Sequence, residues 1–369
     1  MASNPFPSTE MVERTTGRRA RERLSTNENE FGPTPQVIAA IARAAAEAHR
    51  YPDCDHYNLR MRLAERLAAP PEAIRIGSGI DGLLCEISRT FLGPGRVAVA
   101  GEATYPTFTY FAWASSAEVR LAPLRAGAKA VTAALADLSA RGLAGDGDAP
   151  ADVVYLAEPD NPTGAALGRA AVLDLAGSLP DATLLVVDGA YTEYLGPRDA
   201  LASSDVLGRR MLWLRTFSKA HGLAGMRVGY ALGHPDLLDR LAVGAEHYVV
   251  GRLAEAAAHA ALDDAGYTDE VAAWTAEGRQ HYTAEFTAMG LDVLPSATNF
   301  VTVRCGGPEV AASLADGLAQ AGILVRHLAA PGLTDCLRIT IGPARQRATV
   351  LACVASLLDS STFSLRRLP

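Results

Sequence analysis

One short apolar segment leads into side chains that could bind an anion and react with a carbonyl group. Residues 211–214 are apolar; Thr216, Ser218 and Lys219 follow, and Arg227 stands eight positions after the lysine. Hydroxyls donate hydrogen bonds, and a guanidinium can contact two oxygens of a phosphate at once. A lysine amine held beside such a group can attack an aldehyde. The segment therefore predicts a phosphate-binding turn with a nucleophilic lysine, although a helix start with a solvated lysine fits the same pattern.

Two further apolar segments end in polar residues. Residues 153–157 precede Asn161, and residues 183–187 precede Asp188. Short continuous apolar runs are typical of parallel strands that helices cover on both faces. Because ligands of open α/β sheets bind beyond the carboxyl ends of the strands, we expect both side chains to converge with Lys219 on one crevice.

A glycine-rich turn earlier in the chain offers a second place for an anion. A strand predicted at 74–76 runs into residues 77–82, Gly-Ser-Gly-Ile-Asp-Gly, and a helical pattern follows at 83–91. Such a turn presents backbone N–H groups and the N-terminus of a helix. It lacks the Gly-Lys-Ser/Thr of a nucleotide P-loop and the spacing of a dinucleotide fingerprint, so it indicates anion binding without naming the ligand.

The bulk properties favour a protein that binds small molecules. The chain has 369 residues, a net charge of -7 and a hydrophobic fraction of 49%. The acidic balance argues against nucleic-acid partners and against a polybasic membrane surface. The five cysteines are scattered without Cys-x-x-Cys spacing, so neither a metal site nor a disulfide framework is predicted. With no signal-peptide core and no apolar run long enough to span a bilayer, we expect a cytoplasmic protein.

The alternation of strands and helices predicts an α/β fold with a large domain, a mostly parallel sheet flanked by helices, and a smaller α+β domain. We assign residues 1–23 to a flexible or surface-laid arm, residues 24–48 and 251–369 to the small domain, and residues 49–250 to the large one. A loop is predicted at 142–150 and a loosely held tail after 359. Strands are predicted at 74–76, 97–100, 119–122, 153–157, 183–187, 211–214, 228–232, 300–303, 323–326 and 337–341. Helices are predicted at 35–49, 58–68, 83–91, 131–141 and 310–321. A further helix is predicted to begin at 105, a long helical region lies within 235–289, and the last helix is predicted to end at about 359.

Taken together, these motifs resemble those of pyridoxal-phosphate (PLP) enzymes of fold type I, the class I and II aminotransferases, and most of all the histidinol-phosphate aminotransferase branch. The resemblance follows the family's order from about residue 24 to 359. The matching stretches are Asn27-Glu28-Asn29 with Gly32-Pro33, Arg50-Tyr51-Pro52, Gly77-Ser78-Gly79, Asn161-Pro162-Thr163-Gly164, Asp188-Gly189-Ala190-Tyr191, Thr216-Phe217-Ser218-Lys219 to Arg227, and Cys336-Leu337-Arg338-Ile339-Thr340.

The resemblance implies roles for residues around the cofactor ring. Lys219 would form a Schiff base with PLP and later move the proton at the substrate carbon. Asp188 would pair with the ring nitrogen, Asn161 and Tyr191 would hydrogen-bond the ring oxygen, and Tyr105 would stack on the ring. Lys219, Asp188 and Tyr191 are thus the predicted catalytic residues.

The resemblance also implies a phosphate cup and a substrate pocket. Arg338 would bind the substrate's α-carboxylate or an equivalent anion, and Arg326 a distal group, although a surface position fits Arg326 equally well. A tyrosine from a neighbouring subunit would complete the cup, which makes a homodimer with shared active sites the expected assembly. The predicted phosphate-binding residues are Ser78, Gly79, Ile80, Asp81, Thr216, Ser218, Arg227 and, from the neighbour, Tyr51.

Some departures from the family pattern bear on the substrate, which we expect to contact Asn29, Glu30 and Phe31. Phe31 stands where a tyrosine is usual, and Glu30 replaces a proline and adds negative charge. Gly82 replaces an acidic residue, and residues 244–250 replace a more apolar, proline-containing segment. A carboxylate near the substrate would repel a phosphate and attract a cation, so a polar or cationic amino acid is an alternative substrate.

Three functions are consistent with the sequence. The first is an aminotransferase acting between an L-amino acid or a histidinol-phosphate-like amino-alcohol phosphate and a 2-keto acid. The second is a PLP-dependent decarboxylase, lyase, cyclase or oxidase acting on a polar or cationic amino acid. The third, a PLP-binding module without catalysis, is disfavoured because Lys219 and Arg338 are both present.

Overall fold

The computed structural model describes residues 9–124, 128–140, 150–264 and 266–359. The loop predicted at 142–150, except for its last residue, and the tail predicted after 359 lie outside the described residues.

The described part of the chain alternates between helices and strands. The α-helices are α1 (Thr9–Thr16), α2 (Pro35–Ala45), α3 (Tyr57–Leu67), α4 (Gly79–Phe91), α5 (Thr107–Ala114), α6 (Ala128–Ala140), α7 (Arg169–Ser178), α8 (Ser203–Leu207), α9 (Pro235–Ala242), α10 (Arg252–Asp263), α11 (Tyr267–Ala288), α12 (Pro308–Gln320) and α13 (Ala344–Asp359). The strands are β1 (Glu22–Arg23), β2 (Ile74–Gly77), β3 (Val97–Gly101), β4 (Glu118–Ala122), β5 (Val153–Ala157), β6 (Leu184–Asp188), β7 (Met211–Thr216), β8 (Gly229–Gly233), β9 (Asp292–Leu294), β10 (Phe300–Arg304), β11 (Ile323–Leu324), β12 (Arg326–His327) and β13 (Cys336–Thr340).

A seven-stranded sheet forms the larger layer, in the order β2-β8-β7-β6-β5-β3-β4. Strands β7, β6, β5, β3 and β4 run parallel, whereas β8 is antiparallel to both of its neighbours. The predicted parallel arrangement of the three apolar runs is therefore confirmed. The carboxyl ends of β5, β6 and β7 lie side by side, and each is followed by one of the predicted site residues.

Residues of one strand alternate between two separate hydrophobic cores, one on each face of this sheet. In β5, Val153 and Tyr155 pack in one core, and Val154 and Leu156 pack in the other. Both sets are apolar because helices cover both faces, which explains why the sequence shows a continuous run instead of an alternation. Burying each such side chain stabilises the fold by roughly 1.5–3 kcal/mol.

A four-stranded antiparallel sheet, in the order β12-β13-β10-β9, carries the smaller α+β part, as predicted in character. Where one strand was predicted at 323–326, the structure has two short strands, β11 and β12. Strand β12 pairs with β13 in this sheet, whereas β11 pairs in parallel with β1. The described part of the predicted arm, residues 9–23, is therefore tied to this region by β1. Leu24 is fully buried in the same core as Tyr282 and Leu337.

Helices α2 and α10 lie in the two segments, 24–48 and 251–369, that the sequence assigns to the small domain. Helices α2 and α10 make an extensive contact with each other. Val37 of α2 and Ala257 of α10 are buried in one of the two cores of the seven-stranded sheet, not in the core of the small sheet. The sequence shows an apolar stripe on each of these two helices, but such a stripe does not indicate which sheet the helix packs against.

Other element boundaries also differ from the prediction. Helix α4 begins at Gly79, four residues before the predicted start at 83, because Ile80 already belongs to its buried stripe. The helical region predicted at 235–289 is three helices, α9, α10 and α11. None of the described helices is long and apolar enough to cross a membrane.

Candidate active site

A cavity of about 330 Å³ lies at the carboxyl ends of β5, β6 and β7. Its described lining carries four cationic side chains and two carboxylates, so the cavity suits anionic ligands. The predicted site residues that line it are Ile80, Asp81, Tyr105, Asn161, Asp188, Tyr191, Thr216, Ser218, Lys219, Arg227, Arg326 and Arg338. The predicted convergence on one crevice is thus present in the structure.

Lys219 follows β7 and projects its amine toward the segment that follows β1. The Nζ atom donates hydrogen bonds to the carbonyl oxygens of Thr26, at 3.2 Å, and Asn27, at 3.0 Å. Burial, together with the nearby positive charges of Arg338 and Arg227, lowers the pKa of Lys219 to about 8. About a tenth of the amine is therefore neutral at pH 7, far more than at an ordinary lysine, and the neutral form is the one that acts as a nucleophile or proton acceptor.

Asp188 is the last residue of β6 and is almost completely buried. Its Oδ2 accepts a hydrogen bond from the Tyr155 hydroxyl at 2.7 Å, and its Oδ1 accepts one from the backbone N–H of Ala190 at 3.0 Å. Burial raises the pKa of Asp188 to about 6, while the Tyr155 hydrogen bond opposes that rise. The carboxylate is therefore oriented and ionised at neutral pH, so it could hold a protonated ring nitrogen.

Asn161 lies in the loop after β5, which is fixed by its neighbour Asp160. The Asp160 carboxylate accepts hydrogen bonds of 2.6 Å from the hydroxyls of Thr104 and Thr163. The Asn161 Oδ1 accepts a short hydrogen bond from the Arg338 guanidinium. Asn161 is thereby held between the end of the large sheet and strand β13, where its amide N–H groups can reach a ligand.

Five polar side chains that line the cavity form a hydrogen-bonded cluster beside the N-terminus of α4. Thr216 donates to the Ser218 hydroxyl at 2.9 Å, and the guanidinium of Arg227 donates to the same hydroxyl at 3.3 Å. A second nitrogen of Arg227 donates to Asp81 Oδ2 at 3.3 Å. Tyr105 donates to Asp81 Oδ1 at 3.1 Å.

The first residue of α4 allows Arg227 to lie over the end of that helix. Gly79 has a φ of +74°, and a Cβ atom there would stand 2.8 Å from the Arg227 Nη2. Only glycine combines this backbone conformation with so close a guanidinium. A helix N-terminus, a guanidinium and two hydroxyls thus meet in one place, which fits a phosphate group.

Two arginines of the small sheet close the cavity from the opposite side. Arg326 of β12 and Arg338 of β13 are register partners, and both line the cavity. Arg338 is buried and donates to the Ser25 carbonyl at 2.6 Å. Burial lowers the pKa of Arg338 to about 10, and burial also lowers the pKa of Arg326. Two desolvated guanidiniums favour a ligand with an anionic group at this end.

The other predicted cofactor residues do not line the cavity. Ser78 and Gly79 stand directly behind it, at the N-cap and first turn of α4. Tyr51 is 77% exposed and stacks on Tyr248 with 4.7 Å between ring centroids, so within one chain it faces solvent. A role at the site would require the partner subunit, as the sequence predicts.

The three residues predicted to contact the substrate, Asn29, Glu30 and Phe31, are not among the described residues that line the cavity. Asn29 donates to the Ala220 carbonyl at 3.0 Å. Glu30 accepts a hydrogen bond of 2.9 Å from Gln346, and burial raises the pKa of Glu30. Phe31 packs on Trp274 with 4.7 Å between ring centroids. The Glu30 carboxylate does not line the cavity, so any repulsion of a phosphate there acts over a longer distance than a direct contact.

Sequence reasoning missed several residues of the site. Ser25, Thr26 and Asn27 line the cavity, although only Asn27 was part of a recognised motif. Tyr155 was counted as an apolar strand residue, yet its hydroxyl positions Asp188. A tyrosine inside a strand covered on both faces needs a buried hydrogen-bond partner, and that signal could have identified it.

Comparison with known proteins agrees with this geometry. The family described as "Aminotransferase class I and II" matches residues 22–357. The histidinol-phosphate aminotransferase of Symbiobacterium thermophilum is 36% identical over 355 residues, which cover 96% of this chain and 95% of the relative. The enzyme of the same name from Dinoroseobacter shibae is 36% identical, with 90% of each protein covered.

A solved structure extends the similarity to the fold. The crystal structure of histidinol-phosphate aminotransferase from Sinorhizobium meliloti in complex with pyridoxal-5'-phosphate superposes with a TM-score of 0.89 at 34% identity, covering 96% of this chain and 95% of that one. The predicted family and fold class are therefore confirmed. The chain belongs to the class I and II aminotransferases and is a PLP-dependent enzyme of fold type I.

Proposed function

We propose that this aminotransferase exchanges an amino group between a histidinol-phosphate-like amino-alcohol phosphate and a 2-keto acid. The observation that carries the proposal is the pair of guanidiniums, the buried Arg338 and the partly buried Arg326, in the same cavity as Lys219. A phosphate monoester and a carboxylate can each accept hydrogen bonds from a guanidinium, so one site can serve both substrates in turn. The names of relatives at 36% identity support the same substrate class.

The residues of the cavity divide into a cofactor-holding set and a reacting set. When bound, PLP supplies an electron-withdrawing ring that acidifies the carbon bearing the substrate's amine. Arg227, Ser218 and the N-terminus of α4 would hold its phosphate. Asp188 would hold its ring nitrogen, and Tyr191 would donate to its ring oxygen.

Lys219 would move the proton in the reaction. Its pKa of about 8 is close to the pH at which an enzyme operates, so the amine can both accept and return a proton. The two carbonyl oxygens that accept its hydrogen bonds belong to a separate segment, residues 26–27, and keep the amine inside the cavity.

We also propose that the enzyme works as a homodimer in which Tyr51 of the partner subunit reaches the phosphate cup. Within one chain the Tyr51 side chain is exposed, but two contacts fix its position. Arg252 donates a 2.6 Å hydrogen bond to the Tyr51 carbonyl, and Tyr248 stacks on the Tyr51 ring. A large aromatic side chain held rigidly in solvent is suited to an interface. Sedimentation of the purified protein should give a dimer, and a monomer with full activity would contradict a shared site.

The substrate proposal is tested with L-histidinol phosphate and L-histidinol, which differ by the phosphate alone. With 2-oxoglutarate as acceptor, we expect kcat/KM for the phosphorylated donor to be about 30- to 150-fold higher, since loss of a charge-assisted contact costs roughly 2–3 kcal/mol. Arg338→Gln should reduce that preference to below about tenfold. Equal use of both donors would contradict the proposal, and release of carbon dioxide from an amino acid would instead support the decarboxylase alternative.

A further inference from the structure

Asn27 connects the catalytic lysine to the tyrosine beside it. It is 1% exposed and has a left-handed φ of +56°. Its carbonyl accepts the 3.0 Å hydrogen bond from Lys219, and its Nδ2 donates to the Tyr191 hydroxyl at 2.9 Å. Asn299 Nδ2 donates to the same carbonyl at 3.0 Å, which fixes the backbone from the other side.

The orientation of the Asn27 amide is set by Thr340. The backbone N–H of Asn27 donates to Thr340 Oγ1 at 3.0 Å. The Thr340 hydroxyl therefore keeps its own hydrogen, which it donates to Asn27 Oδ1 at 3.3 Å. With the oxygen of the amide committed to Thr340, the NH₂ group must face Tyr191.

This arrangement decides what the Tyr191 hydroxyl can do. An amide nitrogen is only a donor, so the Tyr191 oxygen acts as the acceptor in this contact. Its hydrogen remains available for another acceptor. Tyr191 is packed edge-on against Phe300, with 5.5 Å between ring centroids, and its exposed part lines the cavity.

We propose that Asn27 is a positioning residue that makes Tyr191 a hydrogen-bond donor toward the ring oxygen of bound PLP, while its backbone carbonyl holds Lys219. The proposal rests on the proposed role of Tyr191. Donation from Tyr191 stabilises negative charge on the ring oxygen, so it lowers the pH at which the bound cofactor loses its proton. Asn27 itself touches neither the reacting atoms nor, through its side chain, Lys219.

The test uses Asn27→Asp, alone and combined with Tyr191→Phe, and follows the pH titration of the bound cofactor's visible absorption. Aspartate has nearly the same shape, but its carboxylate is an acceptor, so the Tyr191 hydrogen would turn toward it and away from the cavity. We expect the midpoint of the titration to rise by about one pH unit. In the Tyr191→Phe background, the same substitution should shift the midpoint by less than about 0.3 units.

The double variant separates this effect from the added charge. A negative charge acting through space would shift the midpoint equally in both backgrounds, and that result would overturn the proposal. Asn27→Gly provides a second variant without charge, because glycine adopts the left-handed backbone freely and preserves both carbonyl contacts to Lys219. It should raise the midpoint by a smaller amount, again only when Tyr191 is present; an unchanged midpoint would also overturn the proposal.

The outcome also distinguishes this inference from the proposed function. If wild-type protein forms a normal cofactor band that Asn27→Asp leaves unchanged, only the role of Asn27 fails. If wild-type protein forms no band with PLP, the assigned role of Tyr191 fails, and the inference falls with it.

Discussion

Replacing Tyr155 with phenylalanine should make cofactor binding sensitive to pH in a range where the wild-type enzyme is not. The substitution removes only the hydroxyl that donates to Asp188 at 2.7 Å. The ring keeps its stacking on Phe108, at 4.9 Å between centroids, so the core should be little disturbed. What changes is the stability of the ionised Asp188 carboxylate.

The size of the effect follows from the energy of that hydrogen bond. A hydrogen bond to a charged group contributes about 1.5–3 kcal/mol, and one pKa unit corresponds to about 1.4 kcal/mol. The pKa of Asp188 is already raised by burial to about 6. Loss of the hydroxyl should raise it by a further one to two units, roughly, so at pH 7 the ionised fraction should fall from about 90% to about 10–50%.

The assay is the affinity of the cofactor-free protein for PLP between pH 5.5 and 8.5, followed by intrinsic fluorescence. Because only ionised Asp188 can pair with the ring nitrogen, the ratio of the variant's Kd to the wild-type Kd should be near one at about pH 8.5. The ratio should climb toward about 10–100 as the pH falls. Taking the ratio cancels the titrations of Lys219 and of the cofactor phosphate, which both proteins share.

Tyr194→Phe is the matched control. Tyr194 is also buried, and its hydroxyl has no hydrogen-bond partner among the described residues. Its removal should leave the Kd ratio flat across the pH range. A ratio for Tyr155→Phe that does not depend on pH, or one that Tyr194→Phe reproduces, would refute the role given to Tyr155.

Two further predictions concern the lysine and the phosphate cup. The rate of PLP attachment to the cofactor-free protein can be measured by stopped-flow absorbance. Because the pKa of Lys219 is about 8, this rate should increase nearly tenfold per pH unit below pH 8 and then level off. A rate that continues to increase up to about pH 10 would contradict that pKa. Gly79→Ala should weaken PLP binding by about tenfold in an equilibrium titration, since the left-handed backbone resists a Cβ atom and the Arg227 guanidinium would have to move from its place over the helix end. Gly225→Ala, where no atom lies within 4 Å of the added Cβ, should bind as wild type, and equal losses in both variants would show that the Gly79 contact is unimportant.

The sheet and the residues at its edge could be predicted because their signals are local. An apolar run followed by a polar residue marks a buried parallel strand and its carboxyl end, and that pattern located Asn161, Asp188 and Lys219 without any long-range information. The start of α4 was misplaced only because glycines resemble a turn. The buried stripe through Ile80, Leu83 and Leu84 was present in the sequence.

The parts that could not be predicted depend on contacts between distant segments. Asn27 contacts Tyr191 and Thr340, which lie 164 and 313 positions away, and no spacing rule connects them. The sequence shows that residue 30 carries a carboxylate, but it does not show which residue that carboxylate contacts. In the structure Glu30 accepts a hydrogen bond from Gln346, which lies 316 positions away. The packing partner of α2 is likewise distant in sequence, since α2 contacts α10.

We expect Lys219 to carry the cofactor, and the chain allows a direct test because it contains just two lysines, Lys129 and Lys219. Purified enzyme saturated with PLP is reduced with borohydride, which makes the cofactor–lysine bond permanent, and the modified peptide is identified by mass spectrometry. We expect one phosphopyridoxyl group on Lys219 and none on Lys129. Modification of Lys129 alone, or an unmodified Lys219 in active enzyme, would contradict it.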